Sequence, residues 1–185
     1  MHEKQSVVSA GPELVLDEIV FDAETISRRV MELGGEIGEY YPLGELLLIG
    51  LLKGGFMFLA DLARAIKRPH KLDFVAAASY GSNKESSGQV RLLYDPETDV
   101  AGKHVLLVED IVDSGTTLNQ LVHVFRNRKP ASLEICTLLH KRMAKETVLE
   151  PRFVGFDAPA KFLVGYGLDF AEECRHLPYI ASLKE

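Results

Sequence analysis

The chain has 185 residues, enough to bury a core without disulfide or metal staples, and its 27 Asp and Glu against 21 Lys and Arg leave a net charge of −6. That acidic balance argues against a general binder of nucleic acid or of an anionic membrane surface. Two cysteines outside any CxxC pair and six histidines without metal-ligand spacing argue against a disulfide scaffold and a zinc site; with no signal-peptide core and no apolar run near the ~20 residues of a membrane span, the expected setting is the cytoplasm.

In chain order, "LVLDEIVF" (14–21) reads as a short strand or an extended arm. Asp22 is placed to cap a helix, because a short acceptor satisfies free N–H groups at a helix start. Ala23, Ile26, Val30, Leu33, Ile37 and Tyr40 follow at gaps of three and four, one helical face, until Pro42 and Gly44 break the pattern. "GGEIG" (34–38) falls inside that helix and reads as its surface or end, not as a dinucleotide loop. "ELLLIGLLKGG" (45–55) is a continuous apolar run ending in glycines, as expected of a strand buried on both faces of a parallel sheet. Leu59, Leu62, Ala63 and Ile66 mark a second helix, stopped by Pro69. "LDFVAAASYG" is the next strand, "SNKESSG" a mobile polar loop, and "QVRLLYD" the returning strand of an antiparallel pair.

"KHVLLVED" (103–110) is another buried strand, and Leu118, Leu121, Val122 and Phe125 give the helix after it. "SLEICTLLHK" (132–141) is a strand with Cys136 as a small buried hydrophobe, followed by a basic segment. "RFVGFDAP" and "FLVGYGLD" read as short strands or loops, and "EECRHLPYI" as the tail. Strands alternating with helices predict an α/β domain with a mostly parallel sheet, whose ligands would sit at the carboxyl ends of the strands. The unusual polar residues cluster there: Lys53, Ser79-Tyr80, Glu109 to Thr117, and Lys141, each expected to follow a strand.

One stretch, "VLLVEDIVDSGTTL" (105–118), carries the chemistry. Gly115 permits a tight turn. Backbone N–H groups, the hydroxyls of Ser114, Thr116 and Thr117, and the positive end of the following helix can then surround a phosphate. Glu109, Asp110 and Asp113 would repel a bare phosphate. As acceptors only, they suit the hydroxyls of a sugar, directly or through a bridging cation. A ribose phosphate satisfies both halves. The competing account is that the three acids simply cap the helix. No GxxxxGK[ST] loop follows any strand, which argues against a P-loop kinase or nucleoside triphosphatase.

The same stretch resembles the signature of the type I phosphoribosyltransferases. "LLKGG" (51–55), "SYGSNKESSG" (79–88), "LLHKR" (138–142) and "KFLVGYGLDFAEECR" (161–175) resemble the pyrophosphate loop, lid, base-recognition and closing segments of that family's 6-oxopurine branch. Order and spacing agree over roughly residues 45 to 176. The resemblance implies a mostly parallel twisted sheet flanked by helices, one domain over 1–185, with a core at about 40–150 and a small hood from about 1–20 and 151–185. It implies transfer of a phosphoribosyl group from phosphoribosyl pyrophosphate to hypoxanthine or guanine, with Mg²⁺, in a homodimer or homotetramer. By the resemblance, Asp113 would be the proton acceptor beside N7, and Glu109 and Asp110 would hold ribose hydroxyls or Mg²⁺. Ile111, Ser114, Gly115, Thr116 and Thr117 would complete the ribose-phosphate site. Lys53, Gly54 and Arg175 would take pyrophosphate, with a non-proline cis peptide at Leu52-Lys53. Lys141 would donate to O6, Phe162 would stack on the base, the Leu163 backbone would meet its edge, and Asp169 would hold a second Mg²⁺. Ser79 and Tyr80 would lead the lid. The alternatives are a xanthine-preferring member and a member turned RNA-binding regulator.

Overall fold

A computed structural model describes residues 6–7, 14–79, 90–141 and 148–184. The larger of two sheets has six strands: β3 (Leu46–Leu52), β4 (Lys71–Ser79), β5 (Val90–Tyr94), β6 (His104–Val112), β7 (Ser132–His140) and β8 (Phe153–Asp157). Their order is β5-β4-β3-β6-β7-β8, parallel throughout except for the antiparallel β4–β5 pair. The mostly parallel α/β architecture expected from the alternation of strands and helices is therefore the one observed.

Burial explains the uninterrupted apolar runs. In β3, Leu46 and Leu48 enter a core beneath helices α1 (Ala23–Tyr40) and α2 (Phe56–Ala65), while Leu47, Ile49 and Leu51 enter a second core beneath α3 (Thr116–Asn127). A strand covered on both faces has no polar side to alternate with. Helix α1 starts where Asp22 accepts the Thr25 N–H at 2.7 Å, as its sequence position implies. Gly34, expected on the helix surface or at its end, is instead buried in the α1–α2 contact. A Cβ there would lie 2.6 Å from the Ala65 backbone.

The second sheet joins the two ends of the chain in the order β1-β2-β10-β9, all antiparallel, from β1 (Ser6–Val7), β2 (Leu14–Phe21), β9 (Leu163–Val164) and β10 (Ile180–Leu183). "LVLDEIVF" is thus a paired strand. The expected tail ends in a strand that β2 and β9 flank. One boundary differs from expectation: Phe153–Asp157, grouped above with the hood, extends the large sheet by pairing with β7. Its outer edge is covered by Arg29 of α1, which donates to the Val154 and Gly155 carbonyls at 2.8 and 3.0 Å. The Phe21 and Phe156 rings stack at 4.3 Å between centroids, tying the small sheet to the large one. Cys136 and Cys174 are buried and free. No helix among the described residues is long and apolar enough to cross a membrane.

Candidate active site

The chain leaves β3 towards β4 on one side, whereas β6, β7 and β8 build out on the other. Between the carboxyl ends of β3 and β6 the strand order reverses, which is where an open α/β sheet leaves a crevice. Lys53 and Gly54 follow β3 there, after a cis Leu52–Lys53 peptide. Glu109 and Asp110 close the strand expected over 103–110 and lie within β6, which runs on through Ile111 and Val112 because Glu109, Ile111 and Val112 stay in register with Thr137, Leu139 and His140 of β7. Being part of a paired strand fixes their backbone in a way a loop would not.

Just beyond, Glu109, Ile111, Val112, Asp113, Ser114, Gly115, Thr116, Thr117 and Leu118 line a pocket of about 190 Å³. Gly115 has φ +71°, the left-handed turn that swings the chain from β6 into α3. The N-cap of α3 is Gly115, which has no side chain to cap it; Ser114 Oγ accepts the Thr116 N–H at a long 3.5 Å, and the first turn carries no acid. None of the three carboxylates lies in the first turn of α3. The first residues of the helix line the pocket, with the helix dipole behind them. Ser114 Oγ donates to Thr116 Oγ1 at 3.3 Å, so the hydroxyls are gathered on the same rim.

Glu109 and Asp110 adjoin this cradle. Burial, and then the neighbouring Asp110 charge, push the Glu109 carboxyl well above its usual range. Burial also pushes Asp110 up, partly offset by hydrogen bonds and by the Arg175 charge. Two carboxylates forced together out of water resist joint ionisation. Asp110 Oδ2 lies against Gly54 so closely that a Cβ on that residue would sit 1.7 Å away, so the loop after β3 rests on the acid itself.

The remaining residues arrive from other strand ends. Lys141, directly after β7, donates from Nζ to Asp113 Oδ2 at 3.0 Å. From the closing segment, Gly167 (φ +100°) packs its backbone on the Gly54 carbonyl, at a place where a Cβ would be 2.2 Å from the oxygen. Arg175 donates to the Gly167 carbonyl at 2.7 Å and pairs with Asp169 Oδ1 at 2.9 Å. Asp169 Oδ2 also accepts the Glu172 N–H at 2.9 Å. Leu163 is buried in β9, and Phe162 is half exposed, edge-on to Phe170 at 5.7 Å. Ser79 ends β4, whereas Tyr80 and the expected lid at 79–88 lie, apart from Ser79, outside the described residues.

Two contributors escaped the sequence reading. Glu172 reaches Lys53 Nζ at 3.0 Å. Tyr166 donates its hydroxyl to Asp61 of α2 at 2.6 Å, tethering the closing segment to the helix that follows the Lys53 loop. The only signal for Glu172 was its spacing, three residues from both Asp169 and Arg175; Tyr166–Asp61 is a long-range pair with no local pattern.

A divalent cation fits this donor set on chemical grounds. Mg²⁺ takes hard oxygen ligands, often one or two carboxylates with substrate phosphates and water, and Glu109 with Asp110 supplies such a pair. Among the described residues no three His, Cys, Asp or Glu side chains converge as a closed protein cage, and Asp169 already engages internal partners with both oxygens.

Residues 17–171 match the family model for the phosphoribosyl transferase domain. The chain is 45% identical over 168 residues to the hypoxanthine phosphoribosyltransferase of Salmonella typhimurium, covering 90% of this chain and 94% of that one. It is 47% identical over 174 residues to the hypoxanthine-guanine phosphoribosyltransferase of Mycobacterium avium, covering 91% and 86%. A solved hypoxanthine-guanine phosphoribosyltransferase of Bacillus anthracis superposes with a TM-score of 0.87 at 42% identity, over 91% of this chain and 99% of that one. With a hydroxyl-lined turn, an acidic strand end and a crevice at the sheet's switch point already in place, these matches settle the lineage: this chain belongs to the phosphoribosyltransferase family.

Proposed function

We propose that this enzyme transfers the 5-phosphoribosyl group of phosphoribosyl pyrophosphate to a 6-oxopurine, hypoxanthine or guanine, in purine salvage. The bond from ribose C1 to pyrophosphate breaks and a bond from C1 to purine N9 forms. Inosine or guanosine monophosphate and pyrophosphate are the products. The observation that carries this reading is the position of a carboxylate pair beside a glycine-capped, hydroxyl-rich helix N-terminus at one strand end, since only a ligand with both phosphate and hydroxyls satisfies both.

Ser114 to Thr117 hold the 5′-phosphate through N–H and hydroxyl donors. Glu109 and Asp110 accept from the ribose hydroxyls or hold Mg²⁺, and Asp169 is the candidate for a second ion. When bound, Mg²⁺ supplies positive charge to the pyrophosphate oxygens as negative charge develops on them. Lys53, Gly54 and Arg175 present N–H donors and cationic side chains to the same leaving group. Phe162 offers a stacking face to the base and Leu163 its backbone.

Asp113 takes the proton from the purine as its nitrogen attacks. A lysine has three N–H donors, so Lys141 can keep its 3.0 Å contact with Asp113 while donating to O6. One side chain thus aligns the proton acceptor and reads the carbonyl. A lysine cannot accept a hydrogen bond, which favours a 6-oxo over a 6-amino purine. Ser79 and Tyr80 would lead a lid that excludes water from the ribosyl centre. A cytoplasmic homodimer or homotetramer is the expected form, in keeping with the family and with two free thiols.

The test is direct. Hypoxanthine or guanine, incubated with phosphoribosyl pyrophosphate, Mg²⁺ and this protein, should yield the nucleoside monophosphate and pyrophosphate. Absence of product with either base defeats the proposal, and product from xanthine alone would redirect it.

A further inference from the structure

Glu172 stands where a carboxylate would be least expected if the neighbouring cations serve only an anionic ligand. Its Oε2 accepts from Lys53 Nζ at 3.0 Å and from Arg175 Nη2 at 3.4 Å. Those are the two cationic side chains assigned above to pyrophosphate. The contact is built into the backbone. Phe170 and Glu173 exchange both N–H···O bonds across a tight turn. The two residues between them, Ala171 and Glu172, have φ of +51° and +69°, left-handed values that side-chain-bearing residues adopt at a cost. The Glu172 N–H is anchored on Asp169 Oδ2 at 2.9 Å. The turn therefore presents the Glu172 side chain to the loop after β3. Lys53 and Arg175 in turn hold its carboxyl below the usual range.

We propose that Glu172 is an affinity-determining residue of the pyrophosphate subsite: an internal anion that occupies Lys53 and Arg175 in the free enzyme and competes with pyrophosphate for them. This rests on the assignment of those two cations to pyrophosphate. An enzyme that releases pyrophosphate must not hold it too tightly. A tethered carboxylate that recaptures both cations weakens the product complex without removing the donors needed while the bond to C1 is breaking. The Lys53–Glu172 pair is about two-thirds exposed on both sides, so the competition is moderated by solvent.

The experiment is titration of inorganic pyrophosphate, in Mg²⁺, into the full-length enzyme and its Glu172→Gln variant by calorimetry, with steady-state kinetics alongside. Removing the charge should lower the pyrophosphate Kd by about three- to tenfold, the range set by a unit charge a few ångströms away in a watery surround. The KM for phosphoribosyl pyrophosphate should fall in parallel, while the KM for the purine moves less than about twofold. Glu172→Asn, whose residue type tolerates the left-handed backbone, should agree in sign, which separates lost charge from a disturbed turn. In a Lys53→Met background the gain from Glu172→Gln should shrink. An unchanged or raised pyrophosphate Kd in both variants of an active enzyme overturns the inference and leaves the proposed function standing. A wild-type protein that forms no nucleotide and binds no pyrophosphate overturns both.

Discussion

Among single residues, Glu109 and Asp110 are buried acids whose proposed role would be held at the expense of stability. Burial raises both carboxyls, and the neighbouring Asp110 charge raises Glu109 further. A carboxyl whose folded pKa lies above its unfolded value keeps its proton longer in the native state. Its unfavourable contribution is therefore absent below the unfolded pKa and grows as pH rises through the folded one. Glu109→Gln should accordingly raise Tm in metal-free buffer by a few degrees at pH 8, and by clearly less near pH 5, in thermal melts. An equal or opposite change at the two pH values would show that the Glu109 carboxyl is not raised in the folded protein. The same substitution should impair turnover, since an amide is a poorer partner for ribose or cation. For Asp113→Asn the expected result is a fall in kcat of about 10²–10⁴, the usual worth of a positioned proton acceptor. Unchanged turnover would remove that role. These acids were legible in the sequence because three carboxylates beside S-G-T-T make poor sense in a bare helix start. Glu172 was not, because its partner Lys53 is 119 positions away.

Among secondary-structure elements, the strands that proved easiest to read are those buried on both faces. β3 and β6 each form a continuous apolar run that no helical or alternating pattern explains. Their ends were harder. A strand closing in two acids contradicts local preference, yet pairing with β7 carries β6 on to Val112. Helix α1 supports a sharper test. Its three glycines have different surroundings: a Cβ on Gly34 would strike the Ala65 backbone at 2.6 Å, whereas one on Gly35 or Gly38 meets nothing within 4 Å. Gly38→Ala should stabilise the protein by roughly 0.5–1 kcal/mol through helix propensity. Gly34→Ala should destabilise it by about 1–3 kcal/mol, since overpacking against backbone outweighs that gain. Urea denaturation of the two variants settles the comparison. Equal effects would mean that α1 and α2 are not in the contact described.

At the scale of the whole molecule, the two sheets divide the labour. The larger positions the cradle, the acids and Lys141, and the smaller carries Leu163 and frames the closing segment. Local periodicity conveyed the first because its elements are long. It missed β10 and misplaced β8 because each depends on partners far along the chain. β10 is the strand on which the small sheet depends, with Ala181 paired to Ile19 on one side and Val164 on the other. Ala181→Pro removes a backbone donor between two strands and should cost about 1–3 kcal/mol for the unsatisfied partner. The KM for the purine should rise more than that for phosphoribosyl pyrophosphate, as initial-rate kinetics would show. An equal rise in both would mean that the small sheet does not serve the base.

The meeting of Asp110, Gly54 and Gly167 bears on how substrates influence one another. These three touch in series, carboxylate to backbone to backbone, and neither glycine has a side chain that could yield by changing rotamer. A nudge at the acids proposed to hold the sugar has nowhere to dissipate before it arrives under the closing segment proposed to receive the nucleobase. Saturating the protein with its phosphorylated sugar should thus alter how strongly it grips the base, and the reverse shift must match in size because linkage is reciprocal.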